Sequence, residues 1–178
     1  VFKAGISMNK NIVLIGMPGC GKSTLSKIMA KRLNKPVIDM DDYIESHEEK
    51  TIKEMFDISE AFFRDVESKY SILLGELNCH IIATGGGIVK RKENITNLKK
   101  NSVIVFINRP VDDIVGDIDV RTRPLLSKGV EAVYSLYNER IHLYKGYCDI
   151  EINNVGEIQK VADLIIEKVQ LYKVENNQ

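Results

Sequence analysis

Residues 16–24 read Gly16-Met17-Pro18-Gly19-Cys20-Gly21-Lys22-Ser23-Thr24, which fits G-x-x-x-x-G-K-[ST]. This is the spelling of a phosphate-binding loop. Glycines let the main chain turn tightly and come close to a polyphosphate, so that successive N–H groups point at its oxygens. Lys22 is placed to reach the β- and γ-phosphates, and the Ser23 hydroxyl to ligate Mg²⁺. Such a loop needs a strand before it and a helix after it, whose N-terminus adds positive potential. Asn11-Ile12-Val13-Leu14-Ile15 is a short apolar run of the buried-strand kind, and Leu25, Ile28, Met29 and Leu33 recur at helical spacing.

Further residues with chemistry follow. A strand at 37–39 ends on acid, Asp39-Met40-Asp41-Asp42. Open α/β sheets place ligands at the carboxyl ends of strands, so one of Asp39 and Asp41 suits the water shell of a metal and the other a substrate hydroxyl. If extension continues, alternation turns both the same way. The alternative is that Asp41 or Asp42 only caps a helix at 43–48. Arg64 and Glu67 stand three apart, off an apolar stripe of Phe62, Val66, Tyr70, Leu73 and Leu77, and taken alone read as a helix-surface ion pair. A strand at 80–84 ends on Thr84 rather than on an acid, which leaves Asp39 as the metal-side carboxylate. Gly85-Gly86-Gly87 comes next. Three glycines in a row suit a backbone that approaches a small ligand, not packing; the alternative is a flexible turn. The stretch 117–129 carries Arg121, Arg123, Pro124 and Lys128 with little to bury. It has the composition of a lid that excludes water and brings an arginine to the transferring group, or of an ordinary exposed loop.

The elements that must position these groups are readable in outline. Thr51 with Glu54 forms a capping box, and Ser59 caps a longer helix. Residues 93–100 read as a surface helix and 103–107 as a continuous apolar strand, hence central in a covered sheet. A weak helix at 111–118 precedes the polar stretch. Val133, Leu136, Tyr137 and Ile141 mark another helix, with Arg140 on its edge. A last strand at 148–152 is followed by a helix with a clear stripe from Ile158 to Tyr172. Strands at 11–15, 37–39, 80–84, 103–107 and 148–152 alternate with helices, which predicts an α/β fold: a five-stranded parallel sheet with helices on both faces.

At 178 residues the chain fits one domain over 8–178, with 1–7 read as a leader or expression scar before Met8. Hydrophobic content of 44% and charged content of 28% are those of a soluble globular protein. A formal net charge of zero gives no support for nucleic-acid binding. No apolar run approaches the roughly 18 residues of a membrane span. Cys20, Cys79 and Cys148 lack metal or disulfide spacing and read as reduced thiols in a cytoplasmic protein. A monomer is the default for a domain of this size.

The order of the motifs adds more than any one of them. GMPGCGKST, IDMDDYIE, FFRDVE, ATGGG, RPLL and NERIHLY follow one another along residues 16–144. In that order they closely resemble the shikimate kinase family, over about residues 11–152. The resemblance implies a phosphate-loop kinase with a lid at about 117–129. It implies ATP and Mg²⁺ as cofactors and transfer of phosphate to the 3-hydroxyl of shikimate, toward chorismate and the aromatic amino acids. Gly19, Cys20, Gly21, Lys22, Ser23 and Thr24 match the family's nucleotide-binding residues, and Ser23 and Asp39 its metal-side residues. Asp41 matches the acid beside the attacking hydroxyl. Arg64 and Arg140 match two arginines that clamp the substrate carboxylate, and Gly85, Gly86 and Gly87 the glycines whose backbone meets it. Arg123 matches the lid arginine near the γ-phosphate. The sequence departs from the family at 115–119, where many members carry an arginine that packs on adenine; Arg121 or Arg109 are the available substitutes. The rival readings are another small phosphate-loop kinase, such as a gluconate kinase, and a nucleotide-binding switch without turnover.

Overall fold

The computed structural model describes residues 9–117 and 129–176. Five strands, β1 (Asn11–Ile15), β2 (Val37–Asp39), β3 (Ile81–Ala83), β4 (Ser102–Asn108) and β5 (Ile150–Asn153), form one sheet in the order β2-β3-β1-β4-β5. Every pairing is parallel. Between them run α1 (Lys22–Leu33), α2 (Met40–Glu48), α3 (Ile52–Ile58), α4 (Glu60–Gly75), a 3-10 turn at Ile88–Lys90, α5 (Lys92–Lys99), α6 (Val111–Gly116) and α7 (Val130–Tyr147); α8 (Ile158–Asn176) closes the fold. The expected sheet is present, with strand ends moved by one or two residues.

Strand order and right-handed crossovers decide the layers. From β1 the chain crosses β3 to reach β2, whereas each later crossover moves the opposite way. Right-handed connections then put α1 on one face and α4, α5 and α7 on the other. The packing agrees: α8 returns against α1, while α5 lies on α4 and both α5 and α7 touch β4. A sheet covered on both faces needs apolar residues facing both ways, and β1 is buried at every position. Each buried Ile, Leu or Val there contributes about 1.5–3 kcal/mol.

Two expectations about helices change. The second helix begins at Met40, not at residue 43, because Asp39 is its N-cap and accepts from the Asp41 N–H at 3.2 Å. Asp41 therefore sits in the first helical turn and is neither a cap nor an extended residue. In α4 the buried face runs through Phe63, Arg64, Val66, Glu67, Tyr70 and Leu74, while Leu73 is 46% exposed. Arg64 and Glu67 are inside, not on the surface. The capping box of Thr51 with Glu54 and the Ser59 cap are both formed. The helix expected at the surface over 93–100 runs over Lys92–Lys99 and buries Asn94, Ile95 and Leu98.

Candidate active site

After β1 the chain turns through Gly16, Gly19 and Gly21, with φ of +147°, +82° and +99°. Gly21 has two reasons to be glycine. Its φ is positive, and a Cβ there would lie 2.8 Å from Asn154 Nδ2. That amide donates to the Cys20 carbonyl at 2.8 Å, and Arg109 donates to the Gly19 carbonyl at 3.1 Å. The loop is thus held from outside by its carbonyls, while Gly19, Gly21, Lys22, Ser23 and Thr24 line a cavity of about 420 Å³. Gly21 caps α1 without a side-chain bond, and no acid occupies the first turn. The positive end of the helix is left for an anion. Lys22 is 7% exposed and donates to the Gly16 and Met17 carbonyls, each at 2.8 Å. Cys20 offers a ligand no side chain: it is fully buried, and its N–H donates to the Met17 carbonyl at 3.2 Å.

The acids meet this loop. Ser23 donates to Asp39 Oδ2 at 2.6 Å, so the two expected metal-side residues are in contact. Their donor set, a hydroxyl and a carboxylate, is all hard oxygen and suits Mg²⁺, which keeps most of its own waters. Thr84, at the end of β3, is buried and spends its hydroxyl on the Leu14 carbonyl. Asp41 lies over Gly85, where a Cβ would come within 2.7 Å of its Oδ1. Burial, then the charges of Asp39 and Glu67, push the Asp41 carboxyl up to about 6, against a smaller pull from Lys22.

The glycine triplet has a packing role that its sequence did not suggest. A Cβ on Gly85 would strike Asp41, one on Gly86 would lie 2.6 Å from Pro18 Cδ, and one on Gly87 would lie 2.4 Å from both Arg64 Nη atoms. Each missing side chain is room for a residue of the site. Gly87→Ala tests this. Its φ of −88° tolerates alanine, so the fold is kept, but Arg64 must move. The expected result is a rise of about tenfold or more in acceptor KM with little change in melting temperature.

Arg64 and Arg140 are drawn to this same loop. Arg64 is 6% exposed, bonds Glu67 Oε2 at 2.7 Å, and has its guanidinium 5.0 Å from the Phe63 ring centre and 5.6 Å from that of Phe56. Burial pushes the Glu67 carboxyl up, and Arg64 and then Arg140 pull it back, so both cations face one carboxylate. Arg140 is 3% exposed, and its Nε and Nη1 have no hydrogen-bond partner among the described residues. Its ion pair is 3.7 Å long, to the exposed Glu139. Buried guanidinium nitrogens without partners are costly, and an anion seated on them would remove the cost. Arg64 has its carboxylate in Glu67; Arg140 feels the same carboxylate from farther off and the Tyr144 hydroxyl beside it, and still has two nitrogens left over among the described residues. Both arginines act on Glu67, and the triplet that meets Arg64 at Gly87 meets Pro18 of the phosphate loop at Gly86.

A family model described as shikimate kinase matches residues 18–170. The chain belongs to the shikimate kinase family. A family member from Clostridium botulinum (strain Eklund 17B / Type B) is 48% identical over 161 residues, covering 86% of this chain and 98% of its own. One from Clostridium beijerinckii is 46% identical over 162 residues, covering 91% and 96%. The solved structure of shikimate kinase from Acinetobacter baumannii in complex with shikimate superposes with a TM-score of 0.86 at 28% identity, over 93% of this chain and 95% of that one.

Arg121, Arg123 and most of the expected lid, along with residues 1–7, lie outside the described residues. Of the two substitutes for the family's adenine arginine, Arg109 lines the cavity, where its second Nη pairs with Asp117. Two groups here were missed in the sequence. Asn154, whose N–H donates to the Asn108 carbonyl at 2.8 Å, ties the end of β5 to both β4 and the phosphate loop; the signal was an Asn-Asn pair at the carboxyl end of a strand. Glu67 was seen, but as a surface residue.

Proposed function

We propose that this chain transfers the γ-phosphoryl group of ATP to the 3-hydroxyl of shikimate, giving ADP and shikimate 3-phosphate. The observation that supports the acceptor most directly is the buried guanidinium of Arg140, two of whose nitrogens lack partners among the described residues, acting with Arg64 on one carboxylate, while Arg64 and Asp41 meet the same glycine triplet. It asks for a small acid with hydroxyls, one side against a phosphate loop.

ATP lays its phosphates along the phosphate loop and the N-terminus of α1, and Lys22 exchanges the Gly16 and Met17 carbonyls for phosphate oxygens. Ser23 and Asp39 hold Mg²⁺, which when bound neutralises charge on the β- and γ-phosphates. Arg109 packs on the base at the far end of the cavity. Arg140, with Arg64, binds the shikimate carboxylate, since a planar guanidinium meets a carboxylate with two bonds. Asp41 accepts from the hydroxyls at the other end of the ring. The shikimate 3-oxygen forms a bond to the γ-phosphorus as the bond to the β–γ bridging oxygen breaks and ADP leaves. The hydroxyl proton passes late to Asp41, because the transition state is loose and the nucleophile needs alignment more than a strong base. Arg123 approaches the γ-phosphate from the lid. A monomer suffices, since every named group comes from one chain.

ADP release measured with shikimate, quinate and gluconate in turn tests the acceptor. Turnover that depends on shikimate is expected; turnover with gluconate alone, or none, overturns the reading. The pH profile tests Asp41. With its pKa near 6, kcat/KM should fall about tenfold for each pH step below that value. The same shift opposes stability. An Asp held above its ordinary pKa binds its proton more tightly folded than unfolded, so this contribution is present below about pH 4 and is lost as pH rises through about 6. Asp41→Asn should therefore gain on the order of 1–3 kcal/mol at pH 7.5 while losing most activity, as read by thermal melts and kinetics together.

A further inference from the structure

Tyr144 reaches none of the reacting groups, yet it meets several parts of the frame that holds them. It lies one turn after Arg140 on α7 and is fully buried. Its hydroxyl donates to the Gly86 carbonyl at 2.6 Å and lies 4.0 Å from Met17 Sδ of the phosphate loop. Its ring stacks on Phe106 of β4, with centres 5.1 Å apart and planes 16° from parallel. Gly86 is the middle of the triplet whose outer members seat Asp41 and Arg64, and it packs against Pro18 itself. Packing alone does not account for a hydroxyl here. A phenylalanine fills the same space without bringing a polar oxygen indoors, so the hydroxyl's polar contacts, the bond to Gly86 and the neighbouring Arg140 guanidinium, are the part that needs a reason. Burial pushes the phenol far above its ordinary range, so it stays a donor at every working pH.

We propose that Tyr144 is a positioning residue for the acceptor: by holding the Gly86 carbonyl it sets the height of the loop against which Asp41 and Arg64 pack, and by standing one helical turn from Arg140 it fixes that loop relative to the Arg140 guanidinium. The proposal rests on the acceptor assignment above. The acceptor loop is thereby referenced to the same helix that carries its anion site. The phosphate loop has its own ties, through Asn154 and Arg109. Loss of the hydroxyl should therefore loosen one substrate and not the other.

Tyr144→Phe keeps the ring and its stack on Phe106 and leaves the Gly86 carbonyl unpaired. The expected result is a rise of about tenfold in shikimate KM with ATP KM unchanged within about twofold. Phe106→Leu is the packing control, and it should lower the melting temperature without separating the two KM values. Equal rises in both KM values for Tyr144→Phe, an unchanged shikimate KM, or the same selectivity from Phe106→Leu would overturn the proposal. Wild-type enzyme in the same assay separates the two levels. If it shows no shikimate-dependent ADP release, the acceptor reading falls and this inference with it. If it is active and Tyr144→Phe is unselective, only the role of Tyr144 falls.

Discussion

Arg140→Ala should raise the shikimate KM by about 10²- to 10³-fold and leave the ATP KM within about twofold, because truncating one partner of a buried charge pair costs about 2–5 kcal/mol. The reasons are specific to this side chain. It is almost fully buried, two of its nitrogens have no partner among the described residues, its ion pair with the exposed Glu139 is 3.7 Å long, and the nearby Glu67 is already bonded to Arg64. The same facts set the expected effect on stability. Removing a buried charge that is only partly compensated costs the free protein little, so the melting temperature of Arg140→Ala should change much less than that of Arg64→Ala. Arg64→Ala is the contrast. It leaves Glu67 buried without its 2.7 Å partner, so it should lose both stability and shikimate affinity. Arg140→Lys keeps the charge but not the fork, and should recover only part of the affinity. Kinetics for both substrates plus thermal melts on the three variants decide the matter; equal effects on the two KM values would count against a carboxylate clamp.

The second large effect is on turnover. Lys22→Ala should lower kcat by about 10²- to 10³-fold, the loss seen when one preorganised electrostatic donor to a transition state is removed. The fold should survive, because Lys22, which holds the carbonyls of Gly16 and Met17, itself lines a 420 Å³ cavity, so that truncating it lets water in to replace its ammonium. A second signature separates loss of the ammonium from a general disturbance. Lys22 is the group that pulls the Asp41 carboxyl down against burial and three neighbouring acids. Without it the residual activity should lose its acid limb at a higher pH than the wild type does. Residual rates measured from pH 5 to 9 check this, and an unmoved limb would mean that Lys22 and Asp41 do not share a site.

The phosphate loop and the sheet were legible in the sequence because both are written locally. A glycine-lysine-serine spelling and five apolar runs need no knowledge of what lies across the fold. The buried face of α4 was not. Helical periodicity turns the most apolar stripe inward and would bury Leu73, but Arg64 and Glu67 go inside because each satisfies the other and because Phe56 and Phe63 flank the guanidinium. That depends on α3 packing against α4, a contact that no window of sequence contains. The start of α2 failed for a similar reason: Asp39 serves at once as cap and as partner of Ser23. The glycine triplet was read as a backbone close to a ligand, whereas the spaces it clears are for Asp41, Pro18 and Arg64, which come from three other segments.

The buried Arg140 guanidinium also has a meaning for inhibitor chemistry. A compound built on the triphosphate end must compete with cellular nucleotide and contends with a cradle shared by many unrelated enzymes. A flat, rigid acid aimed at Arg140 meets a buried cation whose neighbours, Arg64 propped by Glu67 and the Tyr144 hydroxyl on Gly86, are each tied by bonds of their own. Selectivity is best sought from that end, with the carboxylate as the first fragment and growth directed toward Asp41.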